Sequence, residues 1–363
     1  MRKIICALAC TIVLSIKVQA QHRESENFLE KLIWNQEMLN IMVDTRIDFQ
    51  TEFGAGELDY AGFRGQTFRV WLVGEIIPGI RYRVRHRFNK PQTPFIRDNY
   101  SGATDQAWLA FDIGKKWTIT AGKQSMQLGT FEYDYNGADL YQTTMVNGDI
   151  DIYKTGINVA YKFSGQTINL QVVNSDAPQF ANSEYKNKAF AINTLWVGSL
   201  FDNTLRTRWG YGIFQHSKSK FYNWLTLGTQ LNLGEFTTEV DYFLGSRNMD
   251  YGTIVSDTEL GSRYVQDQSV ALNLKYNLGR WKPFIKGTWN QRHDKVFASN
   301  AYESMGVEAA LEFYPFTREV IKDLRFHVAY AYLNTDFQGE FASLKNNNIH
   351  TVLVGTRWLF KVK

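Results

Sequence analysis

The sequence predicts an all-β chain, a transmembrane antiparallel β-barrel of about 16 strands. Three observations carry this. Apolar and polar residues alternate with a period of two along most of the chain, as strands half in contact with an apolar phase require. Short and long links between those stretches alternate, one set at each end. Beyond the N-terminus, no apolar run is long enough for a transmembrane helix.

The chain has 363 residues with only 6 prolines, and no Ser/Gly linker or charge block divides it, so a single main domain is expected. Aromatic residues make up 15%, while the mean hydropathy of −0.32 is too polar for a helical membrane protein. Residues 1–20 read as a signal peptide. Arg2 and Lys3 start it, Ile4 to Ile16 form its apolar core, and Val18-Gln19-Ala20 is the cleavage site. Both cysteines, Cys6 and Cys10, lie inside it, which leaves the exported chain without disulfides or thiolate ligands. Without Arg2, Lys3 and Lys17, the 40 Lys and Arg fall to 37 against 36 acids. That near-balance argues against a nucleic-acid partner. Residues 21–38 form a periplasmic N-terminal segment, in which 27–40 is compatible with a short helix, and 39–363 form the barrel.

The strands are placed at 39–53, 66–75, 80–88, 106–113, 116–126, 153–163, 166–174, 188–198, 204–214, 222–232, 236–246, 267–277, 281–292, 304–314, 323–334 and 348–360. Each rests on alternation. Ile157, Val159, Tyr161 and Phe163 oppose Asn158 and Lys162; Val240, Tyr242 and Leu244 oppose Glu239 and Asp241; Met305, Val307, Ala309 and Leu311 oppose Glu308 and Glu312. Links of two to four residues follow strands 2, 4, 6, 10 and 12, and links of eleven to twenty-six follow strands 1, 3, 5, 7, 11, 13 and 15. The rule blurs after strand 9 (seven residues) and after strand 14 (eight). An even strand count lets the sheet close, leaving no backbone edge in lipid. The last strand would turn Val352, Val354, Trp358 and Phe360 to lipid.

In "GIRYRVRHRFNK", Arg81, Arg83, Arg85 and Arg87 occupy every second position. A lipid-facing Arg at the midplane costs roughly 2–4 kcal/mol, so four together would cost on the order of 8–16 kcal/mol, beyond a marginal fold. They must face the lumen. Tyr82, Val84 and Phe88 then face lipid, with His86 near the outer interface. Sixteen strands enclose a water-filled channel where eight would fill with side chains, and a wide channel with a charged wall is a pore for small hydrophilic solutes.

The run "WTITAGKQSMQLGTFEYDYNGADLYQTTM" from Trp117 to Met145, with "EIIPGIRYRVRHRF" and the sixteen-strand layout, resembles the phosphate-selective porin O/P family of outer-membrane channels, especially its members in Bacteroidota-type bacteria. The resemblance covers about Leu39 to Phe360. It implies a passive porin of a Gram-negative outer membrane, often a homotrimer, with the third external loop folded into the lumen. Here that loop is Gln127 to Ile152. Its partners would be membrane lipid, lipopolysaccharide and small hydrophilic solutes or anions, and no cofactor is implied.

That loop departs from a phosphate site. It carries Glu132, Asp134, Asp139, Asp149 and Asp151 and neither lysine nor arginine, whereas phosphate capture needs converging cations. Two readings stand side by side. In one, these acids face the Arg81 to Arg87 ladder across a constriction; in the other, they bind divalent cations or solvent at the outer rim. Bases expected on the lumen wall include Arg69, Arg206 and Arg208 beside the ladder, with Arg46, Lys162, Lys275, Lys282, Lys286, Arg325 and Arg357. They outnumber the expected wall acids, Asp44, Asp48, Glu75, Asp112, Glu239, Asp241, Glu308 and Glu312. The wall favours anions and the loop offsets much of that bias. The expected function is passive diffusion with mild anion preference, the alternative a phosphate or polyphosphate channel. A barrel hydrolase or a purely structural protein fits less well. Of the six histidines only His327 sits mid-strand on the lumen side, with no nucleophile motif, and no His/Asp set has metal-ligand spacing.

Overall fold

The computed structural model describes residues 37–91, 98–148, 150–250 and 262–362. The signal peptide and most of the segment at 21–38 lie outside the described residues, as does Asp149. Sixteen strands form one closed antiparallel barrel: β1 Asn40–Gly54, β2 Glu57–Ile77, β3 Ile80–Arg87, β4 Thr104–Ile113, β5 Trp117–Ser125, β6 Tyr153–Phe163, β7 Gln166–Asn174, β8 Phe190–Leu200, β9 Leu205–Ser217, β10 Lys220–Leu233, β11 Phe236–Asp250, β12 Ser262–Tyr276, β13 Trp281–Asp294, β14 Ser299–Phe313, β15 Leu324–Phe337 and β16 Asn347–Lys361. Every strand pairs with its sequence neighbours, and β1 closes on β16 with Phe49 opposite Val354. Closure satisfies each strand's backbone on both sides, the condition for crossing hydrocarbon.

Tight turns join strands at the end where β1 begins and β16 finishes. Gly79 and Gly234 there hold φ of 85° and 61°, a conformation that disfavours a Cβ. At the opposite end, several expected links prove shorter, and three of them become tight hairpins. β1 and β2 meet at Ala55–Gly56, β9 and β10 across 218–219, and β13 and β14 across 295–298. Backbone pairing continues beyond the expected strand ends at all three sites, through a register shift in each hairpin, before the chain turns. β2 thereby reaches 21 residues against eight in β3.

The two faces separate as the alternation predicts. Val84, Ile157, Val307 and Val354 are exposed on the outer surface, while their neighbours Arg85, Asn158, Glu308 and Arg357 are enclosed. His86 lies on the outer face beside Thr104 Oγ1 at 3.1 Å. Lys123 is an exception: it shares the outward side of β5 with Trp117 and Ile119 yet is buried. Residues Asp98 and Tyr100 of the β3–β4 connection lie over it. Asp98 stands 3.6 Å from the ammonium and accepts a 2.7 Å bond from Thr155 Oγ1, with the Tyr100 ring 5.5 Å from the Lys123 nitrogen. A charge on the lipid-facing side is thus neutralised before it meets hydrocarbon.

The interior is partly solid. Met126, Leu128, Val146 and Ile150 of the β5–β6 loop pack with Ala177 and Phe180 of the β7–β8 loop against Phe214, Trp224 and Phe243 of the wall. The β7 to β11 side is therefore filled with apolar side chains, and open space lies on the other side.

Candidate functional site

The loop at 126–152 enters the barrel, as the resemblance implied. Three glycines permit its first contact. A Cβ on Gly129 would fall 2.3 Å from the Thr226 carbonyl oxygen, one on Gly210 2.7 Å from Gly129 nitrogen, and one on Gly228 2.6 Å from Thr130 Cα. Loop backbone therefore lies flat on bare wall backbone of β9 and β10. The Gly129 N–H donates to Thr226 Oγ1 at 2.6 Å, and Phe131 and Glu132 N–H groups both donate to the Asp241 carboxylate at 2.8 Å.

From there the chain crosses the lumen, tied down by wall charges. Lys286 reaches Glu132 at 2.8 Å and the Gln142 carbonyl at 2.6 Å. Arg208 binds Asp134 at 3.1 Å and the Thr130 carbonyl at 3.0 Å. Asp139, in a single tight helical turn at Gly137–Asp139, takes Arg325 at 2.7 Å and Arg357 at 2.5 Å. Arg46 donates to the Ala138 and Leu140 carbonyls at 3.2 and 2.9 Å, Arg69 bonds Asn136, and Asn136 in turn donates to Asp44 at 2.7 Å. Asp151 pairs with Lys154 at 3.2 Å. Tyr135 bonds Glu239 and receives a bond from Lys275, whose ammonium lies 3.8 Å from the ring centre. Burial, then the neighbouring Glu239 charge, raises the Tyr135 phenol far above its usual range, so it remains a donor.

The four described loop acids thus find cations, but on β6, β9, β13, β15 and β16 rather than on the arginine strand. The loop crosses the lumen and pairs its acids directly with those wall bases, so the acids meet the ladder only across open cavities. Asp134 shares a cavity of about 370 Å³ with Arg83 and Arg85, which Arg208, Trp71 and Trp108 also line, and Glu132 and Asp151 share a second one with Arg87.

The ladder itself is unevenly compensated. Arg81 forms a two-pronged pair with Asp112 at 2.8 and 2.9 Å. Arg85 and Arg87 share Asp105, at 3.2 and 2.5 Å. Arg83 has neither a hydrogen bond nor an ion pair among the described residues; the rings of Trp71 and Trp108 flank it at 5.8 and 5.4 Å. Arg69 lies 3.0 Å from Asp44, and Arg206 donates to Gln230 at 2.9 Å and sits over Phe131. Asp105 escaped the sequence reading because an irregularity between Arg85 and His86 shifts the register there. Asp267, held by Arg292 and Arg247 at 2.7 Å each, is a further wall acid absent from the expected set, although its parity with Lys275 on β12 signals it. His327 Nε2 donates to the Asp48 carboxylate at 2.9 Å beside the Tyr141 ring, with no nucleophile in the arrangement.

Further cavities flank the loop. One of about 630 Å³ is lined by Arg87, Lys90 and Asp151; another of about 340 Å³ by Lys275, Lys282 and Glu312. Tyr135 and Leu140 border both.

Comparison with solved structures finds the same barrel. OmpT of Vibrio cholerae in its trimer form aligns with a TM-score of 0.58 at 10% identity, covering 89% of this chain and 99% of that one. The outer membrane channel DcaP of Acinetobacter baumannii gives 0.63 at 11%, covering 89% and 97%. The anion-selective porin of Comamonas acidovorans gives 0.57 at 11%, covering 89% and 99%. No curated protein matches the sequence. The profile of the family described as phosphate-selective porin O and P matches residues 39–358, from just before β1 to within β16. The chain is therefore an outer-membrane porin, a channel and not an enzyme, and it belongs to the phosphate-selective porin O and P family.

Proposed function

We propose that this porin passes small hydrophilic solutes by diffusion with a mild preference for anions, and that phosphate is not its selective cargo. The observation that carries this is the spending of lumen cations on the loop. Arg46, Arg69, Arg208, Lys275, Lys286, Arg325 and Arg357 all bind loop atoms. A phosphate dianion needs several converging cations to shed its water. In the cavity beside the ladder, Arg83 is unopposed, Arg85 shares Asp105 with Arg87, and Asp134 contributes a negative charge. The remaining bias suits weak anion preference, and it should fade well above 0.1 M salt, where the Debye length is about 10 Å.

The test is a reversal potential across a salt gradient, followed by phosphate titration of the chloride current in planar bilayers. A modest anion preference with no saturation by phosphate is expected. Micromolar phosphate block that disappears in Arg83→Ala and Arg85→Ala would establish the phosphate-selective reading, which the family's description favours. Export with cleavage after Ala20, a periplasmic 21–38 segment, contact with lipopolysaccharide and a Bacteroidota-type source belong to the same reading. So does a homotrimer, supported by the family resemblance and by the trimer form of the V. cholerae OmpT neighbour; cross-linking in detergent checks it.

A further inference from the structure

We infer that the cavity between β3 and the inserted loop is a binding station for monocarboxylates that carry a ring with an apolar face, aromatic or sugar. This deepens the diffusion reading above and rests on it.

Three features of the cavity converge. First, Arg83 is a lumen guanidinium with no partner among the described residues, and one guanidinium fork matches one carboxylate. Second, Trp71 and Trp108 stand on either side of that guanidinium, and Tyr133, Tyr135 and Tyr153 line the same space. Aromatic faces beside a fork reward a ligand with an apolar face of its own and give nothing to a small hydrated ion. Third, the wall carries polar groups lacking partners. The Trp71 indole N–H, the Arg83 Nε atom and the Gln106 and Asn158 side-chain oxygens are enclosed without a hydrogen-bond partner. Such groups are costly unless a ligand or water meets them. The volume, about 370 Å³, falls in the range of small-molecule sites.

The placing of one acid chooses the valence. Arg83 offers one positive charge without an ion pair, and Asp105, shared by Arg85 and Arg87, leaves one more beside it. Across the space Asp134 holds Arg208 and remains partly exposed. A monoanion meets the fork without pressing a second charge toward Asp134, whereas a dianion would meet that repulsion. The acids and the tryptophans together therefore favour a ring-bearing monocarboxylate over phosphate, acetate or a neutral sugar.

The experiment uses the full-length exported protein in detergent and in planar bilayers, with benzoate, D-glucuronate, acetate, D-glucose and inorganic phosphate as probes. Titration calorimetry in detergent reads binding independently of conduction. Benzoate, glucuronate or both should bind about tenfold or more tightly than acetate, glucose and phosphate, since they add ring burial to the carboxylate pair. Which of the two binds identifies the ring. In bilayers the same probe should reduce the chloride current saturably. Arg83→Gln should abolish the preference and Arg83→Lys restore part of it, while Trp108→Ala should bring the ring-bearing probe down to the level of acetate. Unchanged mobility shift on heating in detergent gels checks that each variant is folded. Binding of both ring probes no tighter than acetate, or phosphate tighter than both, overturns the inference. A protein that conducts yet shows no ring preference refutes the station alone, and a protein that binds but does not conduct refutes the pore reading alone.

Discussion

Replacing Asp139 by alanine should loosen the inserted loop without unfolding the barrel. Asp139 receives Arg325 at 2.7 Å and Arg357 at 2.5 Å, two charge-assisted bonds of roughly 1.5–3 kcal/mol each. The full sum is not lost. The Asp139 side chain is 28% exposed, so water takes over part of the solvation. Neither arginine is stranded, because Arg325 retains Glu312 at 2.8 Å and Arg357 retains Asp44 at 2.9 Å. Arg46 and Arg325 still hold the Ala138 carbonyl. The net loss of anchoring comes to about 2 kcal/mol, or about 30-fold in the ratio of released to held loop. Single-channel recording should show more frequent and larger current excursions in Asp139→Ala, fewer in Asp139→Asn, and an unchanged heat-induced gel shift for both. Wild-type noise and conductance in a folded Asp139→Ala protein would refute the view that this turn is held by those two arginines inside the channel.

Three other perturbations test separate parts of the architecture. Arg83→Leu should fold normally and alter conduction, whereas Val84→Arg, at a position 37% exposed on the outer face, should cost up to roughly 2–4 kcal/mol and impair insertion; equal folding yields would mean the register is wrong. Gly228→Val should lift the loop from β10, since even a Cβ would lie 2.6 Å from Thr130 Cα; protease nicking between 129 and 145 in the folded barrel should rise, and no change would place the loop elsewhere. Asp98→Ala leaves the Lys123 ammonium uncompensated near the outer rim, a cost of about 1 kcal/mol or less at that depth. Urea unfolding from lipid vesicles should show the single variant less stable and Asp98→Ala/Lys123→Leu recovered, and identical midpoints would dismiss the pair.

What was legible follows from which forces act locally. The membrane imposes alternation on every strand, so all sixteen could be located from parity alone, and the arginines of β3 fall on the enclosed side for the energetic reason given. Strand ends outside the bilayer feel no such constraint. That is why β2, β13 and β14 run further than expected, as paired hairpins in water. The Asp105 register shift and the Asp98 cover over Lys123 depend on a loop's path and leave no periodic trace. Gly129, Gly210 and Gly228 were visible as glycines. Their meaning was not, because it lies in two backbones distant in sequence touching each other.

The pairing of charges in the lumen is hidden from the sequence for a related reason. A count of wall charges sets a wall base and a loop acid against each other as contributions to a field, whereas in the structure they bind one another. Within a barrel whose lumen carries many bases, an acid-only loop without a single cation is itself a folding signal: its carboxylates and carbonyls are the acceptors those bases need. Lys286 illustrates the consequence. It is enclosed, divided between Glu132 and the Gln142 carbonyl, and so contributes an anchor rather than a site for solute. The same logic isolates Arg83. On a strand whose other three arginines bind Asp112 or Asp105, it is left between two tryptophans facing open space. Selectivity is therefore expected to follow the chemistry of that one guanidinium and its rings more closely than the total charge of the wall.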